Sequence, residues 1–148
     1  MEVHYLLLAR YAETVAGGLN IIGGGIAVYT PKDLPFHIPQ LYVASQIELN
    51  TQDVDREHTI SYRLIGPHEE LVSETEDFNL PRTAIPEKRI AMYANFVIAF
   101  LNLVILAEGR YRVQLVYDGQ VIKEVALRIE PTVPEGQAAV QASERAAE

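Results

Sequence analysis

The sequence predicts an all-β domain: a two-sheet antiparallel β-sandwich, Ig-like or jelly-roll-like, of about eight strands. Three observations carry this expectation. Apolar residues recur with period two through most of the chain, as strands with one covered face require. Gly and Pro break those runs at short intervals. No long stretch repeats its apolar residues at helical spacing.

The strands are expected in the following order. Val3–Ala9 is apolar on both alternating sets, which suits a strand covered on both faces. Gly17-Gly18 punctuates, and Leu19–Tyr29 reads as a second strand interrupted by Gly23-Gly24-Gly25, the mark of a bulge or close backbone approach. Pro31, Pro35 and Pro39 define a loop, because a central strand does not tolerate prolines at that spacing. Gln40–Leu49 places Leu41, Val43, Ile47 and Leu49 on one face and Gln46 and Glu48 on the other. His58–Ile65 turns Ile60, Tyr62 and Leu64 inward and Thr59, Ser61 and Arg63 outward. Gly66-Pro67 breaks the chain before Glu70–Phe78, an acidic strand suited to a sheet edge.

From Ile90 to Ala107 no Asp, Glu, Lys or Arg occurs. That length touches the lower limit for a membrane-spanning helix. Asn95, Asn102 and Tyr93 favour a buried strand or strand pair instead. After Gly109 the clearest local signal follows. Tyr111, Val113, Leu115 and Tyr117 alternate with Arg112, Gln114 and Val116. Asp118-Gly119 then supplies a two-residue turn whose positive φ angles both residues tolerate. Val121, Val125, Leu127 and Ile129 lie on the return strand, and Pro131 and Pro134 end the domain at residue 131. Residues 132–148 form an Ala/Glu-rich tail, flexible or a short helix, marginal alone at that length.

Certain segments resemble a family of short uncharacterised bacterial proteins, a domain of unknown function with a predicted β-sandwich. They are His4–Ala12, Leu19-Asn20-Ile21-Ile22-Gly23, Glu57-His58 before a strand, and Gly109-Arg110-Tyr111-Arg112-Val113 with Asp118-Gly119. The likeness spans roughly residues 1–130. The doubled glycines at 24 and 25 depart from the pattern, and the Gly-x-Tyr…Asp-Gly ending is shared with many Ig-like domains. The resemblance implies a fold and no catalytic residues.

Composition narrows the function classes. The chain has 148 residues, fitting one domain, and 49% are apolar, ample for one core. A net charge of −8 repels phosphate backbones and anionic membranes, so neither nucleic acid nor membrane is an expected partner. The absence of cysteine excludes disulfides, thiolate zinc sites and cysteine nucleophiles, and fits a cytoplasmic protein. The start, Met1-Glu2-Val3-His4-Tyr5, with the short apolar run Leu6–Leu8, does not read as a signal peptide.

Motifs for chemistry fail one by one. The glycines at 17, 18, 23, 24 and 25 match neither a dinucleotide loop nor a P-loop, since Ile26-Ala27-Val28 follow. His4, His37, His58 and His68 lack metal-motif spacing. His68-Glu69-Glu70 reads as a solvated turn. Glu70, Glu74 and Glu76 read as edge protection rather than a calcium site. None of Ser45, Ser61, Ser73 and Ser143 lies in Gly-x-Ser-x-Gly. No catalytic residue, cofactor or metal site is expected. The function expected is a non-enzymatic protein-binding or assembly module. The alternatives are a small-ligand protein or unrecognised enzyme on the same scaffold, and a structural subunit of a larger particle.

One segment nominates a surface. As a single strand, residues 90–106 show Met92, Phe96, Ile98, Phe100 and Val104 on one side. Tyr93, Val97, Leu101, Leu103 and Ile105 lie on the other. The core takes one set. The second set is the candidate interface, covered by another protein or by a second copy, a homodimer being the default.

Overall fold

The computed structural model describes residues 1–80, 91–132 and 146. Among these residues ten strands form two sheets. The first, sheet A, has the order β2 (Gly18–Gly24), β1 (Glu2–Val15), β4 (Phe36–Asn50), β8 (Ala91–Ile105). The second, sheet B, runs β3 (Val28–Tyr29), β10 (Gln120–Ile129), β9 (Gly109–Tyr117), β5 (His58–Ile65), β6 (Leu71–Glu74), with β7 (Phe78–Leu80) also on β5. All pairs are antiparallel except β3 with β10, which is parallel. The sandwich expected from the sequence is therefore the fold, with two more strands and one short parallel pair. The tail beyond residue 132 lies outside the described residues except for residue 146.

The core is the meeting of the two inner faces. Leu6, Leu8, Leu41, Val43, Ile47, Ile98 and Phe100 from sheet A meet Ile60, Tyr62, Leu64, Val113, Leu115 and Leu127 from sheet B. A single polar pair joins the layers among the described core residues. The hydroxyls of Ser45 on β4 and Tyr62 on β5 share a buried hydrogen bond of 2.7 Å. Burial pushes the Tyr62 phenol up to about 12, against the opposing effect of Ser45. At the start of β9, the buried Tyr111 donates its hydroxyl hydrogen to the carbonyl of Ala107 at 2.8 Å. A tyrosine bonding back to the chain a few residues upstream is the corner device of Ig-like sandwiches.

Four details differ from the sequence reading. Residues 70–78, expected as one strand, divide between β6 and β7, which pair with different parts of β5. Residues 19–29 are two strands in different sheets, and Gly23 and Gly25, with φ of +61° and +82°, carry the crossing. β4 begins at Phe36 rather than Gln40 and contains Pro39. The proline is tolerated because β1 pairs with β4 only as far as Tyr42, so no β1 ladder bond is lost at Pro39. Ser61 lies on the outer face but is shielded there, with only 6% exposure.

The Asp118-Gly119 turn has φ of +47° and +80°, with Tyr117 paired to Gln120, as a primed two-residue turn requires. It is tied to the body of sheet B. Asp118 Oδ1 accepts from the Thr59 amide at 2.9 Å, and Oδ2 lies 2.7 Å from Nδ1 of buried His58. The other ring nitrogen of His58 donates to the Asp53 carbonyl. Tyr117 stacks on the imidazole at 4.8 Å, and burial together with the Asp53 and Asp118 charges pushes its phenol up to about 12. Desolvation acts to raise the Asp118 pKa, but the bonds from His58 and Thr59 outweigh it and hold the carboxyl below the usual carboxylate range.

Two predictions follow from these ties. Tyr62→Phe should cost about 1–3 kcal/mol by stranding the Ser45 hydroxyl, and adding Ser45→Ala should recover part of the loss; urea titration of the two single variants and the double variant measures both. A depressed folded-state pKa stabilises above the unfolded value of about 3.9 and is lost as pH falls through the folded value. Asp118→Asn should therefore destabilise by about 1–2 kcal/mol at neutral pH. The gap from wild type should shrink below about pH 4. Melting curves across that range check it.

Candidate interaction surface

Sheet A has a second apolar face. On its outer side the register sets rows across β1, β4 and β8: Ala9–Tyr42–Ala99, then Leu7–Ala44–Val97, then Tyr5–Gln46–Asn95, then Glu2–Glu48–Tyr93. Ala9 and Ala44 have no exposure despite lying on this outer side. The cover is the chain's own first hairpin. β1 leaves β4 at Ala9 and there takes β2 as its partner, Ala9 opposite Gly24 and Val15 opposite Gly18. The hairpin then folds back over the sheet. Its tip reaches β8, where the Asn95 side-chain amide donates to the Gly17 carbonyl at 2.9 Å. β4 separates β1 from β8 within the sheet, so only a fold-over brings these atoms together. Asn95 also accepts from Gln46 at 3.0 Å, which fixes its amide for the contact.

β8 is one strand, and its faces exchange partway. Met92, Phe96, Ile98 and Phe100 point inward up to Phe100. Asn102 then takes φ +52°, opposite Pro39 of β4, and both strands switch parity together. Leu103 and Ile105, expected on the free face, are core residues at 4% and 0% exposure, while Val104, assigned inward, is exposed. Of the candidate interface, Tyr93 and Leu101 are exposed at 58% and 59% and Val97 is half-buried. The two exposed residues sit at opposite ends of the hairpin's cover. A segment read with uniform parity gives the wrong partner set beyond the break. The signals in the sequence were Asn102 itself and the small residues Ala9, Ala44 and Ala99, which leave room for a second layer.

The edge of β8 opposite β4 has no strand against it among the described residues. Among the described residues no helix is long and apolar enough to cross a membrane. Below the hairpin tip a cavity of about 400 Å³ is lined by Thr14, Ala16, Gly17, Tyr93 and Asn95. His4 stands beside it, its ring 5.6 Å from that of Tyr93 and its Nε2 2.5 Å from Glu48 Oε2. Sequence reasoning missed this corner because His4 and Glu48 are distant in the chain and meet only through pairing of β1 with β4. A second cavity, about 530 Å³, lies at the β9–β10 rim and is lined by Arg110, Arg128 and Glu130, with the last two ion-paired at 2.5 Å. Three glutamates engage arginines: Glu69, between β5 and β6, and Glu124 of β10 pair with Arg112, and Glu74 of β6 pairs with Arg63.

Asn95→Ala should remove the clasp on the hairpin. The expected cost is about 1 kcal/mol, with faster amide exchange confined to residues 12–21 and unchanged protection in β9 and β10. Hydrogen-exchange mass spectrometry reads the difference; a uniform loss of protection would contradict a local clasp.

The search of curated proteins returned no match. A family model described as a family of unknown function, DUF6941, matches residues 4–130, which is the whole sandwich from His4 in β1 to the residue after β10. The chain, a two-sheet β-sandwich with its first hairpin folded over one face, is thus a member of family DUF6941.

Proposed function

We propose that this chain is a non-enzymatic binding or assembly module of the cytoplasm that works as a homo-oligomer, with the open edge of β8 as its joining element. One observation carries the reading: an edge strand running from Ala91 to Ile105 without a charged residue. Unpaired N–H and C=O groups along such an edge pair with another strand, and proteins that avoid this blunt their edges. Among the described residues the other edges are blunted. β3 has two residues and β7 three, β2 ends in glycines, and β6 is short, with Glu70 just before it and Glu74 as its last residue.

Antiparallel pairing of β8 with β8 of a second copy would join two A sheets about a two-fold axis. Leu101 and Tyr93, exposed beside the edge, would gain cover in the same step. The cysteine-free composition supports a reducing compartment.

Size exclusion with light scattering at tens of micromolar should report twice the 16.5 kDa of one chain. Leu101→Lys should shift the species to monomer, because a lysine on the edge strand is a natural block to pairing. Leu71→Lys, equally exposed on β6, should leave the dimer intact. A wild-type monomer would refute the reading.

A further inference from the structure

Glu2 on β1 and Glu48 on β4 stand directly opposite each other on the outer side of sheet A. Like charges in that relation repel. Among the described residues neither carboxylate has a Lys or Arg within ion-pair distance; the partner of Glu48 is His4. His4 is aimed there by a β-bulge. The β1–β4 register shifts between Val3 and Tyr5, which makes His4 the extra residue and turns it outward toward Glu48. One donor atom from each of Glu2, His4 and Glu48 lies within 4.8 Å of the other two. The Tyr93 ring flanks the imidazole and also lines the cavity under the hairpin tip.

We propose that Glu2, His4 and Glu48 hold one first-row divalent transition-metal ion of the Zn²⁺ or Co²⁺ class, with its remaining coordination positions open. The donor set selects this class. Imidazole nitrogen suits zinc, iron and nickel, whereas Ca²⁺ and Mg²⁺ favour all-oxygen shells. A dication neutralises the two glutamates that strand pairing sets face to face. Three protein ligands leave room for water or an anionic group, as in open rather than closed metal sites. Binding takes the Nε2 lone pair of His4 and excludes its proton, so affinity rises with pH. The site does not depend on pairing at the β8 edge.

The full chain is titrated with Co²⁺ by visible absorbance and with Zn²⁺ by calorimetry, alongside His4→Gln, Glu48→Gln and the control His68→Gln, which changes an exposed histidine far along the chain. One equivalent should bind, weaken at least tenfold in His4→Gln and Glu48→Gln, and remain unchanged in His68→Gln. Affinity should fall as pH is lowered, because protons compete with the metal for the imidazole. Absence of saturable binding at millimolar metal, binding that survives His4→Gln, or binding lost in His68→Gln would each overturn the proposal. Should His4→Gln fail to fold, Mn²⁺ broadening of wild-type nuclear magnetic resonances decides: losses first at His4 and Tyr93 support the site, and losses first elsewhere defeat it.

Discussion

Sheet A must be covered on both of its faces, and the rest of the architecture answers that demand. Three of its strands carry apolar groups on both alternating sets: Leu6 and Leu8 against Leu7 and Ala9 in β1, Val43 against Ala44 in β4, Ile98 against Val97 in β8. Sheet B covers the inner set. The outer set would face water in a plain two-layer sandwich, where one side of each sheet is normally polar. The chain meets the demand by lengthening β1 past its partner and folding the extra hairpin back. Small side chains at Ala9 and Ala44 let this third layer approach closely. The cover stops short of Tyr93 and Leu101, and those ends remain for other chemistry.

The polar groups inside the molecule mark places where layers or turns must hold a fixed relation. Ser45 and Tyr62 tie the two sheets at mid-core. His58, Asp118 and Asp53 tie the β9–β10 turn to the chain entering β5. Gln46, Asn95 and Gly17 tie the hairpin to the outer face. Each group reads locally as a minor polar residue in an apolar run. The buried members, Ser45, Tyr62 and His58, each find a partner distant in sequence, so that their burial costs little.

This difference in range separates what could be read from the sequence from what could not. The β9 alternation and the Asp-Gly turn were legible because both are local signals, whereas the register shift between Val121 and Lys123, which leaves Val121 exposed, was not. The inward sets of β4 and β5 were legible for the same reason. Pro39 misled, because its cost depends on whether a neighbouring strand is still present at that point of β4. The parity switch in β8 was invisible, since it needs the φ of Asn102 and the paired break in β4. The corner of Glu2, His4 and Glu48 exists only through strand pairing and a bulge, so spacing rules for histidine motifs had nothing to detect. Two of the five nominated surface residues, Leu103 and Ile105, became core for this reason.

The break at Asn102 and Pro39 bears on how β8 finds its alignment. An ordinary half-buried strand is aligned by its pattern, since a slip of one residue carries every apolar group to the wrong side. β8 lacks that safeguard: both of its sides are apolar, and a shifted alignment would still bury Leu, Ile, Val and Phe. What singles out the native alignment is a small number of unique matches. The kink at Asn102 fits only where Pro39 leaves the opposing strand free to bend with it, and Asn95 finds an amide partner only opposite Gln46. Alignment of the most apolar strand in the molecule thus rests on its two least apolar residues.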